Sequence, residues 1–149
     1  AHGDAIKGCA PEVNVFGQSC PLFVNLVEEG KVDERETWEV AEHYLRPLKM
    51  AGIDTLILGC THFPHLRPII SSVMGDNVVL LDPAEETVKS VAKALGKMGK
   101  LNYGKKAHHD RYWVTDDSEK FRQVGQKLLN IPLQVESIKF WGKQKTVKD

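Results

Sequence analysis

Thr55, Leu56, Ile57 and Leu58 form the run that most limits what this chain can become. A strand with one wet face alternates apolar and polar residues, and this run does not. The pattern therefore predicts a strand covered on both faces, as in a parallel sheet flanked by helices. Gly59 follows and lets the backbone turn sharply, and then come Cys60, Thr61 and His62. A second run of the same kind, Val78 to Leu81 by residue type, ends at Asp82 and Pro83. In an open parallel sheet, functional groups gather beyond the carboxyl ends of the strands. Chemistry is expected at these two strand ends.

The rest of the chain alternates strand and helix around them. Residues 13–16 are a short β-rich run, and residues 22–29 read as a helix closed by Gly30. Asp33 is placed to cap the next helix, with Glu36 completing a capping-box arrangement. That helix carries Trp38, Ala41, Leu45 and Leu48 as a single apolar stripe, and Pro47 predicts a kink or split near Leu45. Residues 65–74 and 85–95 are predicted helices. A Gly- and Lys-rich stretch, residues 96–106, reads as a linker. Beyond it lie a strand at residues 111–115, a helix from Asp117 or Ser118 to about Leu129, a short strand at residues 135–138, and a frayed tail at residues 143–149. This alternation means an α/β fold with a mostly parallel sheet and helices on both faces. The 149 residues amount to one ordinary domain. The strand–helix–strand piece after the linker is too small for its own core. Either it completes the sheet of the first part, or it belongs to a domain not fully present.

Twenty basic residues balance twenty acidic ones, which argues against binding nucleic acid by bulk phosphate attraction. The apolar runs fall far short of the roughly 20 residues that span a bilayer. The N-terminus has no basic stretch followed by an apolar one, so no secretory signal is expected, and the missing initiator Met suggests trimming. Cys9, Cys20 and Cys60 are odd in number and form no Cys-x-x-Cys pair, so a reducing cytoplasm is the simplest compartment. Cys60 and His62 alone cannot close a metal site. His108 and His109 point to opposite sides of their segment, so no metal is expected there.

At the first strand end, a thiol at a helix N-terminus feels the positive end of the macrodipole, which favours thiolate. His62 is close enough to exchange a proton with it. Thr61 offers a hydroxyl and a backbone N–H to a substrate carboxylate, and Pro64 biases Phe63 toward an extended conformation. The bland alternative is a buried Cys, a capping Thr and a surface His. At the second strand end, Asp82, Glu85 and Glu86 suit a helix start by capping and macrodipole alone. Glu28 and Glu29 read as solvated charges.

The stretch Asp54-Thr55-Leu56-Ile57-Leu58-Gly59-Cys60-Thr61-His62-Phe63-Pro64-His65-Leu66 resembles the second catalytic-cysteine motif of bacterial glutamate racemases. Cys20-Pro21-Leu22-Phe23-Val24, running on to Glu28-Glu29-Gly30, is similar to the segment that precedes that motif in the family. Asp82 with Glu86 and Thr87 falls where the family has another such segment. The landmarks keep the family's order over most of the chain, and the last fifty residues match only loosely. Aspartate racemases of the same superfamily typically carry Glu after Gly-Cys-Thr, so His62 favours glutamate. The family's opposing cysteine lies in a Cys-Asn-Thr motif that does not occur here, and neither Cys9 nor Cys20 inherits its role.

The resemblance implies an aspartate/glutamate racemase-like fold. Residues 1–84 would be a second domain carrying Cys60, and residues 85–149 would return to an incomplete first domain. It implies cofactor-independent interconversion of L- and D-glutamate by two-base proton transfer, supplying D-glutamate for the peptidoglycan of the cell wall. Cys60 and His62 would be catalytic, Thr61 and His62 would contact the substrate, and Glu28 would stand behind the histidine. The implied partners are glutamate and the N-terminal half of the same enzyme, with no metal, membrane or nucleic acid. Association of copies into a homodimer through an exposed partial core is a further expectation, and the chain alone is expected to be inactive. Two other readings are an aspartate or hydantoin racemase and a non-catalytic ligand-binding or interaction module.

Overall fold

The computed structural model describes residues 2–104 and 110–139. They belong to two units, Ala1–Tyr103 and Gly104–Asp149, and the break falls in the Gly- and Lys-rich stretch.

The first unit holds α1 (His2–Cys9), α2 (Pro21–Glu28), α3 (Arg35–Met50), β1 (Thr55–Ile57), α4 (Arg67–Met74), β2 (Val79–Leu81) and α5 (Pro83–Lys97). β1 and β2 pair in parallel, Thr55 opposite Val79 and Ile57 opposite Leu81. The Leu58 N–H extends the ladder by donating to the Leu81 carbonyl at 2.9 Å. With α4 between them, the strands form a β–α–β unit.

Buried side chains of α2 (Phe23, Leu26, Val27), α3 (Ala41, Leu45, Leu48) and α4 (Ile69, Ile70, Val73, Met74) build the core, joined by Leu58 and Leu66. α3 packs against both α2 and α4. Gly52 and Gly75, which follow α3 and α4, take positive φ values of 66° and 86°, backbone that glycine adopts without a steric penalty.

Several sequence expectations are corrected here. Residues 13–16 form no strand. α3 runs unbroken past Pro47, which lies in its last turn. Glu34 occupies the N-cap of α3 without a side-chain cap bond, and Glu36 pairs with Lys31 instead. The buried stripe of α3 contains Thr37 rather than Trp38. Thr37 is fully buried, and its hydroxyl donates to the Lys31 carbonyl, while Trp38 is 40% exposed. A polar residue can be buried cheaply when its hydrogen bond is made. β1 is also not covered on both faces, for Ile57, Val79 and Leu81 are exposed on the sheet while Leu56 and Leu80 are half-buried.

The second unit is β3 (Arg111–Val114), α6 (Ser118–Leu129) and β4 (Gln134–Ser137), with β3 and β4 parallel. Asp117 caps α6 by accepting from the backbone N–H groups of Glu119 and Lys120, and Asn130 ends the helix in the left-handed conformation. Leu133 is the one buried apolar side chain among the described residues of this unit. It comes so close to α6 that a Cβ on Gly125 would lie 2.5 Å from its Cδ1. His108, His109 and the tail lie outside the described residues.

Candidate active site

β1 delivers the chain to Leu58, which is buried, and Gly59 then releases it into the turn that carries Cys60, Thr61 and His62. The turn is closed by two backbone bonds, Phe63 N–H to the Cys60 carbonyl and His65 N–H to the His62 carbonyl, each at 3.1 Å. A 3-10 turn, Phe63–Leu66, follows, and α4 begins only at Arg67. Two local expectations change as a result. Phe63 opens the 3-10 turn rather than extending the chain. The thiol is also not at the N-terminus of α4, so the macrodipole, which fades within a helix's first turn, is not what acts on it.

What does lie beside the thiol is His62. Cys60 Sγ is 3.7 Å from His62 Nδ1. On the far side of the ring, His62 Nε2 is 3.5 Å from Glu28 Oε1. Glu28 is the last residue of α2, remote in sequence from the turn. One imidazole thus bridges a thiol and a carboxylate. With the Nε2 proton directed at Glu28, Nδ1 keeps a lone pair for the thiol proton. Cys60 and His62 are half-buried and Thr61 is exposed, so the array is open to a small solute.

The other candidates are structural in this geometry. Asp82 Oδ1 accepts from the Ala84 N–H and caps α5. Glu85 pairs with Arg67, Glu86 with Lys89, and Glu29 with Lys31. Cys20 sits buried at the N-cap of α2, where burial pushes its thiol up to about 11, and Cys9 is exposed. Among the described residues no three His, Cys, Asp or Glu side chains converge as metal ligands, and no helix is long and apolar enough to cross a membrane.

Sequence reasoning missed the aromatic cluster under the turn. Phe63 meets Phe23 edge to face, with centroids 5.3 Å apart and planes at 90°, and Phe23 meets Tyr44 at 5.6 Å and 80°. The signal was present in Phe63 following His62 and in Phe23 on the buried face of α2. Neither names the other as its partner.

A parallel β–α–β unit with a Cys–His–carboxylate array at a strand end defines a class of protein equipped for proton transfer at a thiol. The family model for Asp/Glu/Hydantoin racemase matches residues 6–91, more than half of the chain. The chain belongs to that family. It is 43% identical over 131 residues to a glutamate racemase of Geobacter metallireducens, covering 87% of this chain and 48% of that protein. A glutamate racemase of Bacillus cereus is 37% identical over 134 residues, covering 90% of this chain and 50% of the other. Among solved structures, glutamate racemase from Francisella tularensis in complex with D-glutamate superposes with a TM-score of 0.82 at 33% identity, over 93% of this chain and 52% of that one. The RacE1 isoform from Bacillus anthracis gives 0.84 at 27% identity over the same shares. The chain thus spans about half the length of the relatives it matches.

Proposed function

We propose that this chain is the part of a glutamate racemase that serves one face of the substrate. The observation that carries the reading is the Cys60–His62–Glu28 array at the end of β1, in a chain whose relatives are named for that activity. Inverting the α-carbon of an amino acid takes a proton from one face and returns one to the other, so two acid/base groups must flank it. Cys60 is one of them. When L- or D-glutamate presents its α-proton to the thiolate, Cys60 Sγ takes it and a thiol on the opposite side donates. In the reverse direction Cys60 donates. His62 Nδ1 accepts the thiol proton to form the thiolate, and Glu28 holds the imidazole by accepting from Nε2. Thr61 contacts the substrate carboxylate with its hydroxyl and N–H, and His62 borders the same space.

The Cys-Asn-Thr motif that would carry the opposing thiol does not occur in this sequence, and neither Cys9 nor Cys20 is followed by Asn-Thr. In this reading residues 1–84 form the domain that carries Cys60, and residues 85–149 return to a domain whose remainder lies in the N-terminal half of the enzyme. The reaction needs no cofactor, takes place in the cytoplasm and supplies D-glutamate to the cell wall.

The test is circular dichroism of glutamate recovered after incubation with L-glutamate. The 149-residue chain alone is expected to leave the rotation unchanged, and the full-length parent to abolish it. Cys60→Ala in the parent should remove racemisation while the far-ultraviolet spectrum stays intact. Racemisation by the chain alone, or by the Cys60→Ala parent, would overturn the assignment, and a parent that prefers aspartate would move it to the aspartate enzymes.

A further inference from the structure

The array is assembled from two elements that no backbone hydrogen bond joins. Cys60 and His62 ride on the turn after β1, whereas Glu28 ends α2. The apolar part of the α2-to-turn contact is made by rings. Phe63, next to His62, stands edge-on to Phe23 of α2 at 5.3 Å. Phe23 is 1% exposed and is held from behind by Tyr44 of α3. α2 is a two-turn helix, so a displacement at Phe23 carries through to Glu28 at its end. The two separations inside the array, 3.7 Å and 3.5 Å, are at the outer limit of hydrogen-bond reach. A shift of about 1 Å would uncouple the ring from one neighbour or the other.

We propose that Phe63 is a positioning residue which, by docking on Phe23, holds His62 within reach of Cys60 and Glu28 at once. Phe63 has no polar atom in its side chain and acts only through where it places its neighbour. The proposal rests on the functional reading above in taking the Cys60–His62–Glu28 array as the working part, but its geometry does not depend on which substrate is racemised.

The test is site-resolved alkylation of the 149-residue chain by iodoacetamide, followed by mass spectrometry, in a double-mutant cycle between Phe63→Leu and Glu28→Gln. Cys9, which is exposed, is the internal reference, and Cys20, which is buried, reports any loss of fold by becoming reactive. Phe63→Leu should slow alkylation of Cys60 about threefold or more when Glu28 is present, and by less than about 1.5-fold in the Glu28→Gln background, the coupling expected of residues that act as a unit. Phe63→Tyr, which keeps the edge-to-face ring, should restore the wild-type rate. Should Phe63→Leu expose Cys20, Phe63→Met keeps the apolar bulk and carries the same cycle. Equal slowing in both backgrounds, or none in either, would overturn the proposal. Racemisation is not read in this experiment, so an inactive parent would sink the functional reading while leaving the coupling intact.

Discussion

Removing the ring of Phe23 tests the packing that brings the site together. Phe23 is 1% exposed, lies between the rings of Tyr44 and Phe63, and shares its interior with Leu26 and Val27 of the same helix. Phe23→Ala deletes a fully buried aromatic side chain and leaves a cavity between α2, α3 and the turn, which costs about 3–5 kcal/mol. A domain of this size is held by about 5–15 kcal/mol in all, so the loss takes about a fifth of the total or more. Phe23→Leu keeps most of the apolar volume and loses the two edge-to-face contacts. At about 0.5–1.5 kcal/mol each, that variant should lose about 1–3 kcal/mol.

The assay is urea unfolding followed by the fluorescence of Trp38, which lies on α3 in the same unit, with Trp113 and Trp141 replaced by Phe so that one ring reports. For a slope of about 2 kcal/mol per molar, the Phe23→Ala midpoint should fall by about 2 M, and Phe23→Leu should fall between it and the wild type. A loss below about 1 kcal/mol for Phe23→Ala would mean that the cluster does not hold α2 to the turn. A Phe23→Leu variant as stable as the wild type would mean that the ring contacts add nothing beyond volume.

Two further outcomes follow from groups near the same core. The buried thiol of Cys20 titrates at about 11 in the fold against 9.0 for the free group. Its folded-state value is raised, so its contribution to stability is whole below pH 9.0 and fades as pH rises toward 11. Thermal melts should show an alkaline loss of stability across that window which Cys20→Ala removes, and an unchanged alkaline slope in Cys20→Ala would contradict this. Thr37→Val fills nearly the same space but withdraws the hydroxyl that donates to the Lys31 carbonyl, and should cost about 1–3 kcal/mol. A variant as stable as the wild type in urea would show that water can replace that bond.

Much of the local architecture was legible in the residues because its causes lie within a few positions of one another. Asp117 caps α6 through the N–H groups of the next turn, and Asp82 does the same for α5. The parallel pair β1 and β2 follows from two apolar runs with a helix between them. The Cys-Thr-His turn follows from a glycine at a strand end. Elsewhere local rules met competing forces. Trp38 was the larger apolar residue for the α3 stripe, yet Thr37 went inside because a carbonyl six residues back was there to receive its hydroxyl. Pro47 was read as a kink, but α3 continues through it to Met50. The β-rich residues at 13–16 found no strand neighbour, and β-propensity without a partner does not make a sheet.

The sequence by itself brought three groups of the candidate site together. Cys60, Thr61 and His62 are consecutive, so their meeting costs no loop closure and needs no distant partner. A place for Glu28 beside the histidine was suggested by resemblance alone, since nothing in its own neighbourhood distinguishes it from Glu29. The fold separates the two, sending Glu29 to Lys31 and Glu28 to the imidazole. The physical reason is packing. The end of α2 comes to His62 because Phe23 is buried against Phe63 and Tyr44, and such contacts between distant residues exist only when the helices have been placed against one another.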